Sequence, residues 1–364
     1  MKTTSPFVLG SIELKNRVVM APMTRCRALG NLANPLMTEY YSQRACAGLI
    51  ITEGTSPSLN GLGYARIPGL YSEAQTASWK QVTSTVHARG GRIFVQLMHA
   101  GRVGSRLNLP KGAELLAPSA IAMGGKMWTD TQGEQPCDMP REMTTTDIRA
   151  AVGEYAQAAR NAVSAGFDGV ELHGANGYLI TQFLDPQSNH RDDAYGHDGA
   201  GRNRFALEVA EAVVAAIGAD RVGIRISPYG VFNDTSGAYK GITEQYTELA
   251  VALGCLGLAT LHLVDHSSMG APKPEPAAIM AISLGFRAAG GRAIILSGGY
   301  DRDRAEAELQ GGGADLVAFG RPFIANPDFV ERLRAGHALA IPDQSTFYTP
   351  GPKGYTDYPA AFPQ

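Results

Sequence analysis

His173, Asn176 and Tyr178 stand within six positions of one another in the stretch Val170-Glu171-Leu172-His173-Gly174-Ala175-Asn176-Gly177-Tyr178. A short apolar run thus delivers three uncharged hydrogen-bonding side chains to one place. The imidazole and the carboxamide can both donate toward a single oxygen. The phenol, with an unperturbed pKa of about 10, offers a proton nearby without carrying charge. Such a trio suits a substrate carbonyl or nitro group. Gly174 and Gly177 allow the backbone to turn tightly between the three side chains, since glycine takes positive φ at little cost. The same residue types also occur in β-to-α loops whose His and Tyr merely satisfy local backbone groups, so the elements that position them matter.

Apolar periodicity gives eight short runs, each followed by a loop and then by a segment with apolar residues at helical spacing. The runs are Arg17 to Met20, Gly48 to Thr52, Arg92 to Leu97, Gly169 to Leu172, Val222 to Ile226, Leu258 to Leu263, Ala293 to Leu296 and Leu316 to Phe319. They are nearly continuous rather than alternating, as expected of parallel strands covered on both faces. Helical spacing follows near 36–47, 74–89, 146–165, 203–217, 243–254, 275–289, 301–310 and 327–335. Thr146, Thr243 and Asp301 stand where helix N-caps are expected, and Asn326-Pro327-Asp328 offers a cap, a first-turn proline and an early acid. Eight such units with right-handed crossovers close most simply into a (β/α)8 TIM barrel with a parallel eight-stranded core. A doubly wound open sheet competes, but no strand-linked G-x-G-x-x-G lies near the first crossover.

In a barrel of this kind the chemistry gathers where strands end. Those ends carry Ala21-Pro22-Met23-Thr24, Glu53-Gly54-Thr55, Gln96 with His99, His173, Arg225 with Ser227, His262, Ser297-Gly298-Gly299 and Gly320-Arg321. The glycines and arginine after the last two strands match the place where such barrels hold a phosphate on bare amides, to which Arg321 would add a bidentate contact; the glycines also suit plain tight turns. A buried Arg225 requires an anion or strong acceptor, either a ligand or a barrel carboxylate such as Glu53. Gln96 and Thr24 supply neutral donors and acceptors, fitted to the edge of an amide-rich heterocycle rather than to a metal. His262, Asp265 and His266 show no metal-binding spacing, and His262 reads as a supporting or satisfied core residue. No strand end carries the lysine that a Schiff-base aldolase needs.

The 32 basic and 34 acidic residues nearly balance over 364 positions, and no basic cluster offers a polyanion footprint, so nucleic acid is not an expected partner. Cys26, Cys46, Cys137 and Cys255 are too far apart for a disulfide scaffold, a zinc knuckle or an iron–sulfur run, which fits a reducing cytoplasm. Met1 to Ser11 contains Pro6 and only a short apolar run, unlike a signal peptide, and no apolar stretch approaches the roughly 20 residues of a membrane span.

With these positions assembled, the chain resembles the old yellow enzyme family of FMN-dependent ene-reductases over nearly its whole length. The resemblance rests on Ala21-Pro22-Met23-Thr24-Arg25, Gln96-Leu97-Met98-His99-Ala100-Gly101-Arg102, His173 to Tyr178 with Gln182-Phe183-Leu184, Ala318-Phe319-Gly320-Arg321-Pro322, and Gly354-Tyr355-Thr356-Asp357-Tyr358-Pro359. It implies one FMN-binding barrel domain over 1–364, with tightly but non-covalently bound FMN across the mouth and its phosphate on Gly298, Gly299, Gly320 and Arg321. It further implies that Gln96 and Arg225 grip the pyrimidine edge, that His173 borders the flavin, that Pro22, Met23 and Gly54 pack beside the ring, and that Thr24 bonds its O4 and tunes it. Some relatives carry cysteine in place of this threonine; Cys26, two residues later, does not substitute for it. NADPH or NADH would give hydride to the flavin and leave, and an activated alkene would then take it at the β-carbon. His173 and Asn176 would polarise the carbonyl or nitro oxygen, and Tyr178 would protonate the α-carbon. Monomer and homodimer are both compatible with this reading.

Several positions depart from the family pattern. Met98 stands where relatives usually show tryptophan, pointing to a roomier or more adaptable substrate pocket. The stretch after Tyr195-Gly196 reads His197-Asp198-Gly199-Ala200-Gly201, with Arg202, Arg204 and Phe205 retained; the change is expected to loosen that loop. The long segment Gly101 to Thr145, with Met127 and Trp128, reads as a lid-like loop after the third strand, or else as disorder. Tyr64, with Phe347-Tyr348, would add aromatic walls for the substrate; Tyr348 equally suits packing the tail onto the barrel.

Overall fold

The computed structural model describes residues 1–362. Eight parallel strands close on themselves: β1 Val18–Met20, β2 Leu49–Ile51, β3 Ile93–Leu97, β4 Gly169–Gly174, β5 Val222–Ile226, β6 Thr260–Val264, β7 Ala293–Ser297 and β8 Leu316–Phe319. Each pairs with the next, and β8 pairs with β1 to complete the ring. The expected strand positions hold to within two residues at either end.

Successive side chains on a strand point to opposite faces, which sorts the barrel into two cores. Outward residues such as Val18, Ile50, Val95, Leu172, Ile224, Leu261, Ile294 and Val317 pack on the surrounding helices. Inward residues such as Val19, Ile51, Phe94, Ile295 and Leu316 fill the lumen, and the antiparallel pair Phe7–Leu9 and Ile12–Leu14 joins the same cluster through Leu9, Ile12 and Leu14. That lower lumen is apolar. Higher up, the inward positions turn polar.

The helices are α1 Pro35–Gln43, α2 Glu73–Ala88, α3 Thr145–Ser164, α4 Leu179–Leu184, α5 Gly199–Ile217, α6 Ile242–Cys255, α7 Pro276–Ala288, α8 Arg302–Gly311, α9 Arg321–Ala325 and α10 Phe329–Ala335. Asp301 caps α8 as expected, accepting from the Arg304 amide. The other expected caps are corrected. Thr144, not Thr146, caps α3, in a reciprocal box with Asp147. Thr243 lies inside α6, which starts after Gly241, and its hydroxyl bonds Tyr229 Oη at 2.6 Å. The expected cap Asn326 instead bonds Pro322 and Ala340, and α10 begins after Asp328, whose carboxylate goes to Arg332 and to the amides of Ala361 and Phe362 rather than to a capping bond. The short helices α4 and α9 go beyond the eight expected, because six and five residues are too few to show a helical period.

The Gly101–Thr145 segment is ordered by two small sheets, a hairpin of Lys126–Thr129 with Gly133–Pro136 and a parallel pair of Leu116–Ala117 with Arg141–Glu142. The His197–Gly201 loop also keeps local bonds: Asp198 caps α5 on the Gly201 amide at 2.8 Å. That loosening is therefore not seen.

The C-terminal segment is held by guanidiniums. Arg25 and Arg27 donate to the carbonyls of Thr346, Phe347, Gly351, Lys353 and Gly354. Arg44, fully buried, donates to the carbonyls of Tyr40, Phe323, Ile324 and Tyr355 and lies 3.8 Å above the Tyr40 ring centroid. Tyr40 in turn stacks on Tyr355 at 4.0 Å. Replacing Arg44 with Met strands several buried carbonyls at once. We expect Arg44→Met to lower the unfolding free energy by about 3 kcal/mol or more, measured by urea denaturation.

Candidate active site

Inward alternation above the apolar plug places Gln96, Glu171, His173, Arg225, His262 and Ser297 on one face of their strands, in registers that pair Gln96 with Glu171 and His173 with Arg225 with His262. The Glu171 carboxylate is fully buried among them, accepting from Gln96 Nε2 at 2.8 Å and from His262 Nδ1 at 2.7 Å. His262 Nε2 lies 3.0 Å from Ser297 Oγ, so both its ring nitrogens are partnered, as a satisfied core histidine requires. Glu171 also favours the charge on Arg225, whose pKa is otherwise lowered by burial. Sequence reading assigned Glu171 no role. The signal was there: it lies two residues before His173, hence on the same strand face.

The Arg225 side chain makes no hydrogen bond to the described residues, and its Nε is buried without a partner. Glu53 is not its counter-ion. That carboxyl accepts instead from the Arg25 amide at 3.3 Å and Tyr41 Oη at 3.2 Å, and burial pushes its pKa up to about 7.

The loop after β4 is fixed from several sides. Asn176 adopts φ 61°, a left-handed conformation that asparagine tolerates better than most residues. Its amide N–H donates to Ser227 Oγ at 3.0 Å, and its carbonyl accepts from Asn233 Nδ2 at 2.7 Å. Its side-chain Oδ1 is buried and unpartnered. Gly177, at φ 76°, leaves no room for a Cβ, which would sit 2.7 Å from the Phe232 carbonyl oxygen. Gln182 bolts the loop to the end of β3, donating to the Gly177 and Ala100 carbonyls and accepting from the Arg102 amide.

His173 and Tyr178 meet edge to face with ring centroids 4.8 Å apart. His173 Nδ1 accepts from the Ala175 amide, so in the neutral ring the proton sits on Nε2. Burial, with Arg225 nearby, drives the His173 pKa well below its ordinary value and keeps the ring neutral. Burial raises Tyr178 above the ordinary phenol range, and its hydroxyl lies 2.9 Å from that of Tyr64. A neutral N–H donor, a carboxamide and a protonated phenol thus share one cleft.

The other expected residues are distributed around that cleft. Pro22, Met23 and Thr24 follow β1 and are half-buried. Gly320 sits beside Met23, since a Cβ there would lie 3.6 Å from Met23 Sδ. Gly298 and Gly299 follow β7 with φ 132° and 63°, and a Cβ on Gly298 would fall 2.3 Å from the Asp265 carbonyl oxygen. Arg321 is exposed at the start of α9. Met98 is buried and lies against Gly54, where a Cβ would come within 2.5 Å of its Sδ. Tyr348 is 61% exposed and lines the same cavity as Tyr64. Burial pushes the Cys26 thiol up to about 12, leaving it protonated and unreactive.

Residues 4–340 match the model of the NADH:flavin oxidoreductase / NADH oxidase family. The chain belongs to the old yellow enzyme family. It is 45% identical to chanoclavine-I aldehyde reductase of Penicillium roqueforti, over 98% of this chain and 96% of that one. Among solved structures it is similar to morphinone reductase in complex with tetrahydroNAD (TM-score 0.93, 42% identity, covering 100% and 98% of the two chains). It is likewise similar to the old yellow enzyme homologue from Zymomonas mobilis (TM-score 0.92, 38% identity, 99% of each chain). Family membership makes this chain a flavin oxidoreductase. Among the described residues no helix is long and apolar enough to cross a membrane, and no group of His, Cys, Asp or Glu is arranged to hold a metal.

The neutral histidines have a pH consequence. Burial holds His99 at about 3 and His266 at about 4, and lowers His173 and His262 as well. Each is neutral when folded and takes a proton when unfolded below its ordinary value, so the unfolded state binds more protons in acid. The stability they provide is complete above about pH 6.5 and is lost as pH falls toward 4, with His99 alone contributing about 1.4 kcal/mol per pH unit. Unfolding free energies from urea titrations should therefore fall steeply between pH 6 and 4 and stay nearly level between pH 7 and 8.

Proposed function

We propose that the chain is an FMN-dependent NAD(P)H:alkene oxidoreductase that reduces the C=C bond of α,β-unsaturated carbonyl or nitro compounds. One observation carries this reading: neutral His173 meets Tyr178 edge to face at 4.8 Å in a buried loop, while Arg225 Nε on the neighbouring strand and Asn176 Oδ1 in that loop are buried without protein partners.

The residues fit the flavin. Arg225 offers charged donors and Gln96 a free acceptor oxygen, a pattern suited to the pyrimidine edge of an isoalloxazine. Gly298, Gly299 and Gly320, with Arg321 beside them, would hold the phosphate, since bare backbone lets an anion approach where a Cβ would collide. Pro22, Met23, Thr24 and Gly54 would flank the ring together with His173, with Thr24 toward its O4. The whole chain is read as one FMN-binding barrel domain, with NADPH or NADH as donor; the relative solved with tetrahydroNAD supports a nicotinamide partner. When bound, FMN supplies the hydride relay between the nicotinamide and the β-carbon of the alkene.

The chain's own residues do the rest. His173 Nε2–H and the Asn176 carboxamide donate to the carbonyl or nitro oxygen, a contact that strengthens as negative charge develops there. Neutral His173 avoids placing a second full cation beside Arg225. Tyr178, held as a phenol by burial and aimed by Tyr64, delivers its proton to the α-carbon. Tyr64, Met98 and Tyr348 are the proposed substrate contacts.

Purified protein should be yellow, bleach anaerobically with NADPH or NADH, and recover its colour on adding cyclohexenone. Tyr178→Phe should slow steady-state cyclohexenone reduction by about 10²-fold or more while leaving bleaching by the nicotinamide within about twofold. Colourless native protein, or undiminished turnover by Tyr178→Phe, would overturn the assignment.

A further inference from the structure

Beyond the catalytic cleft lies a chamber of about 640 Å³, enclosed by the hairpin around Met127 and Trp128, the segment around Tyr64 and Arg66, and the C-terminal residues 345–350. It adjoins the site directly. Tyr64 and Asn233 both line it, and these are the residues that bond the Tyr178 hydroxyl and the Asn176 carbonyl. Met123, Met127, Trp128, Tyr348 and Pro350 make its walls largely apolar.

Its cations are already engaged. Arg66 donates to the Cys26 carbonyl at 3.0 Å, to the Tyr348 carbonyl at 3.0 Å and to Asp130. Lys126 faces Glu134 across the hairpin at 3.8 Å. The lining therefore offers no unpaired cation to a phosphate or carboxylate. The base of the chamber is also a constrained piece of backbone. Cys26 and Arg66 both adopt left-handed φ, 55° and 56°, although neither is glycine. Such conformations persist only where surrounding structure enforces them. Here the enforcement is visible in Arg66, which ties three chain segments together around the chamber.

We propose that this chamber receives a large, neutral, apolar substituent carried by the alkene, with Trp128 and Met127 as specificity-determining residues. The proposal rests on the reading of the site as an alkene reductase. Its volume falls in the range of about 300–1,000 Å³ that encloses drug-sized ligands, well beyond the needs of a single six-membered ring. With its charges paired and its walls apolar, the transfer of hydrocarbon surface from water is what it can reward.

The test compares cyclohexenone, chalcone and carboxychalcone, which are respectively small, large and neutral, and large and anionic. The wild-type protein should favour chalcone over carboxychalcone in kcat/KM by about tenfold, because nothing in the chamber pairs the added charge. Trp128→Ser should lower the chalcone-to-cyclohexenone ratio of kcat/KM by about tenfold, mainly through KM, and Trp128→Phe should restore most of it. Trp128 and the buried Trp79 are the two tryptophans of the chain, so binding of dihydrochalcone should quench an emission component that Trp128→Ser lacks. Cyclohexenone reduction with no discrimination between the chalcones, or a ratio unmoved in both variants, overturns the chamber proposal alone. Failure of the wild-type protein to reduce cyclohexenone overturns the reading of the site and this proposal with it.

Discussion

A single buried carboxylate, Glu171, sets the conditions under which the rest of the site can exist. A guanidinium inside a barrel is costly unless an opposite charge is near, and the Arg225 side chain has no hydrogen bond of its own to the described residues. Glu171 supplies the compensating charge from the neighbouring strand and uses its two oxygens on Gln96 and His262. The result is a layer of polar side chains, nearly neutral as a whole, sealed below by the apolar plug of Leu9, Ile12, Leu14 and the lower lumen. The Arg225 guanidinium is therefore left without a hydrogen-bond partner among the described residues. Without Glu171, Gln96 would lose its anchor and His262 its acceptor, and Arg225 would stand as an uncompensated charge.

The same economy of position governs the loop that carries His173, Asn176 and Tyr178. Its backbone is held by side chains from other elements, Ser227 and Asn233 after β5 and Gln182 in α4, while Tyr64 from beyond β2 holds the Tyr178 hydroxyl. A reacting oxygen would meet donors whose directions are fixed before it arrives, and that is where hydrogen bonds serve a transition state best. Arg225 contributes a second time by disfavouring a proton on His173, so the ring presents a neutral N–H beside the hydrogen-bonded phenols of Tyr178 and Tyr64.

Most of the barrel was legible because its strands are continuous apolar runs, a pattern that parallel strands buried on both faces impose and that helices of similar length do not mimic eight times in register. The strand ends followed from that, and with them Thr24, Gln96, His173, Arg225 and the glycines. What escaped was set by contacts distant in sequence. Glu171 looks like a lone charge until alternation is applied to its own strand. Asn233 lies 57 positions from the Asn176 carbonyl it holds, and nothing local announces it. The caps at Thr146 and Thr243 missed because a threonine one turn into a helix resembles one at its start, and tertiary bonds decide between them. The contribution of Cys26 and Arg66 was invisible for a different reason: positive φ at residues other than glycine leaves little trace in composition.

The architecture separates two tasks. The strands and the loop after β4 form a mutually bonded unit that carries His173, Asn176 and Tyr178. The hairpin and the C-terminal segment lie outside the ring of strands; Met127 of the hairpin packs in one buried cluster with Met98 and Tyr178, and the C-terminal carbonyls are gripped by Arg25 and Arg27. Exposed hairpin side chains such as Trp128 stand apart from this packing, and no strand pairing connects the hairpin to the barrel. The guanidinium clamps make this separation workable. By binding backbone carbonyls rather than side chains, they hold the C-terminal segment in place whatever residues it presents to the cleft. On the proposed reading, a scaffold built this way would keep one chemistry fixed at the barrel mouth while the shape of the outer chamber selects the molecules brought to it.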